Sequence, residues 1–218
     1  MSRVYLSWLV MILIPICLVL SVVRGLIAPA FLQIEYNLPG FPDDPYGFTK
    51  EDRLYWSQID LNYLLNPAGI SFLADLKFAN GEPVYNSREL RHMVDVKNVV
   101  RGALGVWYVS IILLFGLGFW AWRGNWWIWF RAGLRRGGWL TVGLLVATGL
   151  FIFFGFDIFF VSFHNVFFAS GTWTFLWSDT LIRLFPERFW YVVFMMVAGI
   201  TIGLGIILGL VFRNPSKT

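Results

Sequence analysis

Residues 139–165 read WLTVGLLVATGLFIFFGFDIFFVSFHN, and this stretch decides the class of fold. Its apolar part, residues 139–163, is long enough at 1.5 Å per residue to cross a hydrocarbon core of about 30 Å. Asp157 and His164 interrupt its end. At about 100° per residue, their spacing returns both to nearly the same helix face, roughly 10 Å apart along the axis. The stretch predicts a transmembrane helix that carries ionisable groups at one membrane boundary.

The whole chain has the composition of a membrane protein. Of its 218 residues, 58% are hydrophobic and 14% are charged, and the mean hydropathy is +0.67. A surface of this composition could not be hydrated. The net charge of +4 comes from basic residues beside the apolar runs, where topology determinants belong, so no nucleic-acid partner is predicted. The single cysteine, Cys17, excludes an intramolecular disulfide and is interpreted as a packing residue.

The apolar runs predict one α-helical membrane domain over residues 1–218. The first run exceeds the length of a usual signal-peptide core, about 7–15 residues, so we expect an uncleaved helix. The four predicted spans cover about residues 4–27, 102–122, 139–163 and 189–212. An insert, a short loop and a second polar loop separate them, at residues 28–100, 123–138 and 164–188.

The insert, residues 28–100, is predicted to be a mixed helix and small β-sheet region in water. It carries ten acidic and six basic residues, a charge of −4. The alternation in Phe31–Tyr36 indicates a strand, and Asn80-Gly81 indicates a type I′ hairpin that would extend the sheet. The spacing of Thr49 and Asp52 is typical of a capping box and predicts a helix that ends near Leu65.

A second capping box, Asn86-Ser87-Arg88-Glu89, predicts a helix that runs through His92 into the second span. Glu89, His92 and Asp95 would then share a face, so either carboxylate can reach the imidazole.

The charges predict the orientation. The loop at residues 123–138 contains four arginines and no acidic residue, which predicts a cytoplasmic location. Four spans then place both termini inside, and the insert and the loop at residues 164–188 outside. Both histidines of the chain, His92 and His164, would lie at the extracytoplasmic face. Trp173, Trp177 and Trp190 are interpreted as an outer aromatic belt.

The two histidines are the candidate catalytic groups. An imidazole oriented by a carboxylate is a general base near neutral pH, and each histidine has a carboxylate at helical spacing. Each histidine alone also fits a structural role, as a solvated helix residue for His92 and as an interfacial residue for His164. Asp157 fits either a functional pair or a carboxylate hydrated at the interface.

No protein nucleophile stands out. The serines near His164, namely Ser162, Ser170 and Ser178, are not in a Gly-x-Ser-x-Gly elbow. There is no glycine-rich phosphate loop, and two histidines with scattered carboxylates make a weak metal site, so neither a metal nor a cofactor is predicted. If the chain is an enzyme, the substrate supplies the attacking group, which favours base-assisted acyl transfer over serine hydrolysis.

Four motifs resemble the bacterial lipoprotein intramolecular transacylase family, and the resemblance covers essentially the whole chain. Arg91 stands where the family often carries a further histidine, so His92 alone fills that motif position. The motifs are Asp44-Pro45-Tyr46-Gly47-Phe48-Thr49, Arg88-Glu89-Leu90-Arg91-His92-Met93-Val94-Asp95-Val96, Phe163-His164-Asn165-Val166-Phe167-Phe168 and Leu181-Ile182-Arg183-Leu184-Phe185-Pro186-Glu187-Arg188-Phe189-Trp190.

The resemblance implies a bacterial cell-membrane acyltransferase that acts on diacylglyceryl-modified lipoproteins. In this reaction the acyl chain on the sn-2 glycerol oxygen moves to the α-amino group of the N-terminal cysteine, which gives the lyso-form. The family's two catalytic histidines match His92 and His164. We expect one to take the amine proton and the other to protonate the departing glycerol oxygen, with the order left open.

Other residues are inferred to support the histidines. Asp95 or Glu89 would orient His92, and Asp157 or Asn165 would support His164 or the oxyanion. Arg183 and Arg188 would hold lipid or peptide carbonyls, or anchor headgroups. Two other functions stay open: a haem-binding cytochrome with both histidines as axial ligands, and a non-catalytic membrane protein that binds lipids or lipoproteins.

Overall fold

The computed structural model describes residues 3–169 and 171–212, and it is mostly helical. Ser170 and the chain termini lie outside the described residues. The helices of the described part are α1 (Arg3–Leu26), α2 (Pro29–Asn37), α3 (Lys50–Leu65), α4 (Ser71–Ala74), α5 (Ser87–Arg123), α6 (Trp127–Phe167), α7 (Thr180–Leu184) and α8 (Glu187–Val211).

Four of these helices, α1, α5, α6 and α8, are long and apolar enough to cross a membrane. This confirms the prediction of an α-helical chain with four membrane-length helices. Two of them extend well beyond the predicted spans: α5 runs without interruption from Ser87 through His92, and α6 starts at Trp127. Residues 127–138, predicted as part of a loop, therefore belong to α6. Gly155 breaks the helical geometry within α6, with φ −148° and ψ 50°.

Both predicted capping boxes are present. At the start of α3 the Thr49 side chain accepts a hydrogen bond from the N–H of Asp52, whose carboxylate accepts from the N–H of Thr49. At the start of α5 the N–H of Asn86 donates to Glu89 Oε2 (2.8 Å), and the N–H of Glu89 donates to Asn86 Oδ1 (3.1 Å). These boxes satisfy N–H groups that would otherwise lack a partner at a helix end.

The predicted small sheet is wrong. Residues 31–36 lie in α2, which begins with Pro29 at a favoured first-turn position. Four buried residues share one face of this helix at a spacing of i, i+1, i+4 and i+5, namely Phe31, Leu32, Glu35 and Tyr36. In the described residues the structure contains only an isolated antiparallel bridge, between Lys77 and Pro83.

The turn at Asn80-Gly81 exists, but it is not of type I′. A type I′ turn needs positive φ at both central residues, whereas here only Gly81 has it, at 86°. The N–H of Gly81 donates to the carbonyl of Phe78, and the N–H of Phe78 donates to the carbonyl of Glu82. This pattern is a three-residue loop with a glycine bulge.

The described chain divides into two compact units. The first comprises residues 3–25, 103–154 and 194–212. Its buried cluster consists of Leu6, Val10, Ile14, Ala121, Trp126, Phe130 and Leu134. Close packing in this unit depends on Gly209, because a Cβ there would lie 2.7 Å from the indole of Trp139.

The second unit comprises residues 26–102 and 155–193, with the exception of Ser170. Its core joins α3, α4, α5 and α7 through Tyr63, Leu73, Val84, Tyr85, Met93, Leu181 and Leu184. Buried polar contacts reinforce this core: Tyr85 donates to Asp60 (2.8 Å), and Thr180 donates to the carbonyl of Val84 (2.6 Å). Burial raises the pKa of the Asp60 carboxyl well above its usual range, and the nearby Glu89 adds to this effect.

Candidate active site

Both histidines lie in the second unit, and the structure brings them together. His92 is in the second turn of α5, and His164 is in the last turn of α6. Their ring centroids are 6.3 Å apart, and the ring planes differ by 18°. Both residues are nearly buried, with 9% and 8% of their surface exposed.

Aromatic rings surround this histidine pair. The ring of His92 packs edge-on against Phe168 (4.9 Å between centroids) and Phe175 (5.3 Å). The ring of His164 lies 4.1 Å from Phe160 and 4.6 Å from the indole of Trp173. This enclosure removes water from both imidazoles and strengthens electrostatic interactions within the site.

A hydrogen bond determines which nitrogen of His164 is free. Nδ1 of His164 lies 2.8 Å from the carbonyl oxygen of Phe160, one turn earlier in α6. A carbonyl oxygen can only accept, so Nδ1 must carry the hydrogen. In the neutral ring, Nε2 then carries the lone pair, which is the form that a general base requires.

His92 has a different environment. It lies outside the predicted membrane span, and its Nδ1 is buried with no hydrogen-bond partner among the described residues. Burial, followed by the charge of His164, lowers the pKa of His92 to about 4. His92 is therefore neutral near pH 7, and a proton on one ring disfavours a proton on the other.

The structure assigns Glu89 to the support of the helix ends. Its Oε2 caps α5, and its Oε1 accepts a hydrogen bond from the N–H of Leu181 at the start of α7 (2.7 Å). Burial raises the pKa of the Glu89 carboxyl despite these bonds. Asp95 is half-buried three residues beyond His92 on α5. Neither carboxylate bonds to Nδ1 of His92.

The carboxylate expected to support His164 has another partner. Asp157 lies close to Glu187 at the start of α8. Asn165 is exposed next to His164. The structure therefore does not bring Asp157 or Asn165 into hydrogen bonding with the imidazole of His164, whose Nδ1 is bonded to Phe160.

Arg183 joins distant parts of the second unit. Its guanidinium donates two hydrogen bonds to Asp44 Oδ2, at 2.9 and 3.1 Å, and lies 3.5 Å from the centre of the Phe48 ring. Burial alone would raise the pKa of the Asp44 carboxyl, but hydrogen bonds from Arg183 and from the N–H of Phe48 lower it overall. Arg183 is therefore occupied by an internal ion pair.

Arg188 makes a similar contact. It donates to Glu35 Oε1 (3.0 Å) and to the carbonyl of Pro39 (2.9 Å). The Glu35 side chain is fully buried, while 30% of the Arg188 side chain remains exposed. Both arginines proposed to hold substrate thus stabilise the insert.

The sequence predicts an aromatic-belt position for Trp173, and it does not indicate that this indole or its phenylalanine neighbours contact the histidines. Phe160 and Phe168 stand four residues before and after His164, a helical spacing that is visible in the sequence. Trp173 and Phe175 follow the end of α6 in an irregular segment, where no periodicity predicts their contacts. The described residues contain no group of three or more potential metal ligands.

Comparison with known proteins identifies the family. The family model described as lipoprotein intramolecular transacylase Lit matches residues 8–190 of the chain. The chain belongs to this family. A transacylase is an acyltransferase, so the chain is an enzyme of that class. Family membership thus excludes the cytochrome and the non-catalytic binding protein considered from the sequence.

The chain is also similar to one further protein in sequence and to two solved structures in fold. An uncharacterized protein of Aquifex aeolicus (strain VF5) is 30% identical over 184 residues, which cover 81% of this chain and 79% of that protein. The in meso structure of the membrane integral transacylase Lit from Bacillus cereus is 21% identical and superposes with a TM-score of 0.79, covering 97% of this chain and 94% of that one. A structure of the same protein with a histidine-to-alanine mutation has a TM-score of 0.63 and covers 96% of this chain and 93% of that one.

Proposed function

We propose that this transacylase moves the sn-2 acyl chain of a diacylglyceryl-modified cysteine to the α-amino group of the same cysteine. The product is an N-acyl, S-monoacylglyceryl lipoprotein, the lyso-form. The observation that carries the proposal is the apposition of His92 and His164, 6.3 Å apart within an aromatic enclosure.

The substrate brings both reactants, so the enzyme needs no nucleophile of its own. Ser162 and Ser178 are exposed, and Ser170 lies outside the described residues. A substrate that contains both the amine and the ester makes the attack intramolecular, which removes much of the entropic barrier. The enzyme then has to move a proton and stabilise the developing oxyanion.

One proton serves both halves of the reaction in this proposal. As the amine nitrogen attacks the ester carbon, it loses a proton to Nε2 of His164. When the intermediate collapses, the bond between the carbon and the sn-2 oxygen breaks, and His164 returns the proton to that oxygen. The fixed tautomer of His164 supports its role as the base.

His92 has a different role, because its pKa of about 4 leaves very little imidazolium to act as an acid near neutral pH. We assign it to the orientation of the departing glycerol oxygen, through a ring N–H of the neutral imidazole. In this proposal one histidine is the base and the other a neutral hydrogen-bond donor, whereas the sequence-based hypothesis had one histidine take the amine proton and the other protonate the glycerol oxygen.

The proposed location is the bacterial cytoplasmic membrane, with the site at the extracytoplasmic face and both termini in the cytoplasm. The arginine-rich segment at residues 123–138 and the acidic insert at residues 28–100 support this orientation. The substrate would reach the site by lateral diffusion within the membrane.

A reporter lipoprotein, co-expressed with the full-length enzyme and analysed by tandem mass spectrometry, tests this function. The transfer conserves every atom, so the intact mass does not change, and fragment ions must place the acyl chain on nitrogen. We expect lyso-form from wild type and from Ser162→Ala, and none from His164→Ala at equal protein level. Lyso-form from His164→Ala would overturn the proposed base, and no lyso-form from wild type would overturn the function.

A further inference from the structure

Trp173 presents a buried hydrogen-bond donor at the histidine pair. Its indole lies 4.6 Å from the ring of His164, with an angle of 37° between the ring planes. The indole Nε1 is shielded from solvent and has no protein partner among the described residues. Trp173 also contacts Phe160, whose carbonyl holds Nδ1 of His164, at a centroid distance of 6.5 Å.

Such a donor needs an explanation. Indole nitrogen can only donate, and buried N–H groups in native proteins almost always have an acceptor. A buried donor without an acceptor lowers the stability of the fold. Proteins keep such a donor most readily where it serves a function. Here the donor belongs to an indole that packs on His164, the proposed base, where the reaction needs a hydrogen bond only in its transition state.

The two arginines predicted to hold substrate are committed elsewhere, and the ring N–H of His92 is assigned to the departing glycerol oxygen. Arg183 is bonded to Asp44, and Arg188 is bonded to Glu35. Nδ1 of His164 is bonded to Phe160. The indole that packs on His164 therefore brings a buried N–H that no described protein atom accepts.

We propose that the indole N–H of Trp173 stabilises the oxyanion of the acyl transfer. This inference rests on the proposed function. Attack by the amine nitrogen forms a carbon–nitrogen bond and moves the carbonyl π electrons onto oxygen, which accepts the hydrogen bond from Nε1. Collapse restores the carbonyl and breaks the carbon–oxygen bond to glycerol, while the amine proton passes through His164 to the glycerol oxygen. Trp173 gains and loses no proton.

Two substitutions distinguish the effect of losing the indole N–H from the effect of changing the shape of the ring. Trp173→Phe removes the donor and part of the ring. Replacement of Trp173 by β-(3-benzothienyl)alanine keeps the bicyclic shape and exchanges the N–H for sulfur. Trp177→Phe is the matched control, because Trp177 lies in the same segment and is 69% exposed.

The assay uses purified full-length enzyme in detergent with a synthetic diacylglyceryl peptide that has a free amine. We expect kcat to fall by about 10²–10³-fold in both Trp173 variants, with KM within about twofold, because removal of one oxyanion donor has this effect. Trp177→Phe should match wild type.

The outcomes distinguish the donor from a packing role and from the proposed function itself. Wild-type kcat in the benzothienyl variant would overturn the oxyanion role, whether or not Trp173→Phe folds. A rise in KM without a fall in kcat would overturn it as well. Wild-type enzyme that forms no N-acyl product would instead reject the proposed function, independently of any Trp173 variant.

Discussion

His92 and His164 lie with ring centroids 6.3 Å apart and planes within 18° of parallel, although 72 residues separate them in the sequence. Aromatic side chains surround the pair, and neither His92 Nδ1 nor His164 Nδ1 bonds to a carboxylate. Charge on one ring therefore acts on the other with little screening. The first prediction follows from this coupling.

Replacement of His164 by glutamine should raise the pKa of His92 above its value of about 4. The variant removes the positive charge that opposes protonation, whereas the burial of His92 still holds the pKa below the ordinary value, about 6.5. The chain has only two histidines, so two-dimensional NMR of histidine-labelled protein resolves the titration. An unchanged His92 pKa in the variant would contradict the coupling.

The same depressed pKa makes stability depend on pH. The unfolded chain, in which His92 titrates near 6.5, binds more protons between about pH 6.5 and pH 4 than the folded chain. The free energy of unfolding should fall as the pH drops through this window. His92→Gln is uncharged at every pH, so its thermal-unfolding midpoint in detergent should fall less than that of wild type. If the unfolding midpoint changed equally with pH in the two proteins, His92 would not be a buried neutral imidazole.

Glutamine substitutions should separate the roles of the two histidines. His164→Gln removes the proposed base, and we expect kcat to fall by about 10²–10⁴-fold. His92→Gln keeps a neutral donor, so a loss of at most about tenfold is expected. Asp157→Asn is the matched control, because Asp157 lies close to Glu187 and the substitution keeps the side-chain shape, so kcat should be unchanged. A larger loss in His92→Gln than in His164→Gln would reverse the assignment.

The Asp44–Arg183 ion pair should be needed for stability and not for substrate binding. Arg183→Met leaves the Asp44 carboxylate, which is 1% exposed, without its partner. The free energy of unfolding should therefore fall by about 3–5 kcal/mol. The matched control is Arg88→Met, which removes the ion pair with Asp179. The Arg88 side chain is 39% exposed, so we expect the free energy of unfolding to fall by only about 0–1 kcal/mol. Thermal unfolding measures the difference. Equal losses, or a raised KM with unchanged stability, would favour a substrate contact for Arg183.

Cysteine labelling should establish the orientation. In a Cys17→Ser background, Glu82→Cys lies in the exposed turn of the insert, and Arg123→Cys lies at the exposed end of α5. A membrane-impermeant maleimide should label Glu82→Cys in intact spheroplasts and Arg123→Cys only after permeabilisation. The opposite pattern would place the site on the cytoplasmic side.

Much of the fold could be predicted from short stretches of sequence, because the interactions that form these helices and caps join residues close together in the chain. Hydropathy over about 20 residues is sufficient to identify a membrane-length helix, and the capping boxes at Thr49 and Asn86 involve residues three positions apart. The misassigned segment, residues 31–36, is short and has only partial alternation, so its period could not be distinguished reliably. Pro29 and the spacing of Phe31 and Glu35 were the signals for α2.

Only part of the candidate site could be predicted from the sequence, because contacts between distant residues leave no local signal. The sequence identified the two histidines and a carboxylate at helical spacing from each, but not what those carboxylates contact. Glu89 bonds to Leu181, and Arg183 bonds to Asp44, across separations of 92 and 139 residues. Contacts at such distances depend on how the chain folds back on itself, which local periodicity does not encode.

The sequence by itself predicted four membrane-length helices and two candidate catalytic imidazoles. Its motifs also indicated the transacylase family. These follow from composition and short-range spacing. Only the tertiary structure decided that Phe160 holds Nδ1 of His164, that burial keeps His92 neutral, and that the indole of Trp173 packs against His164. A pKa and a free hydrogen-bond donor are properties of an enclosed environment, and that environment exists only once distant segments have packed together.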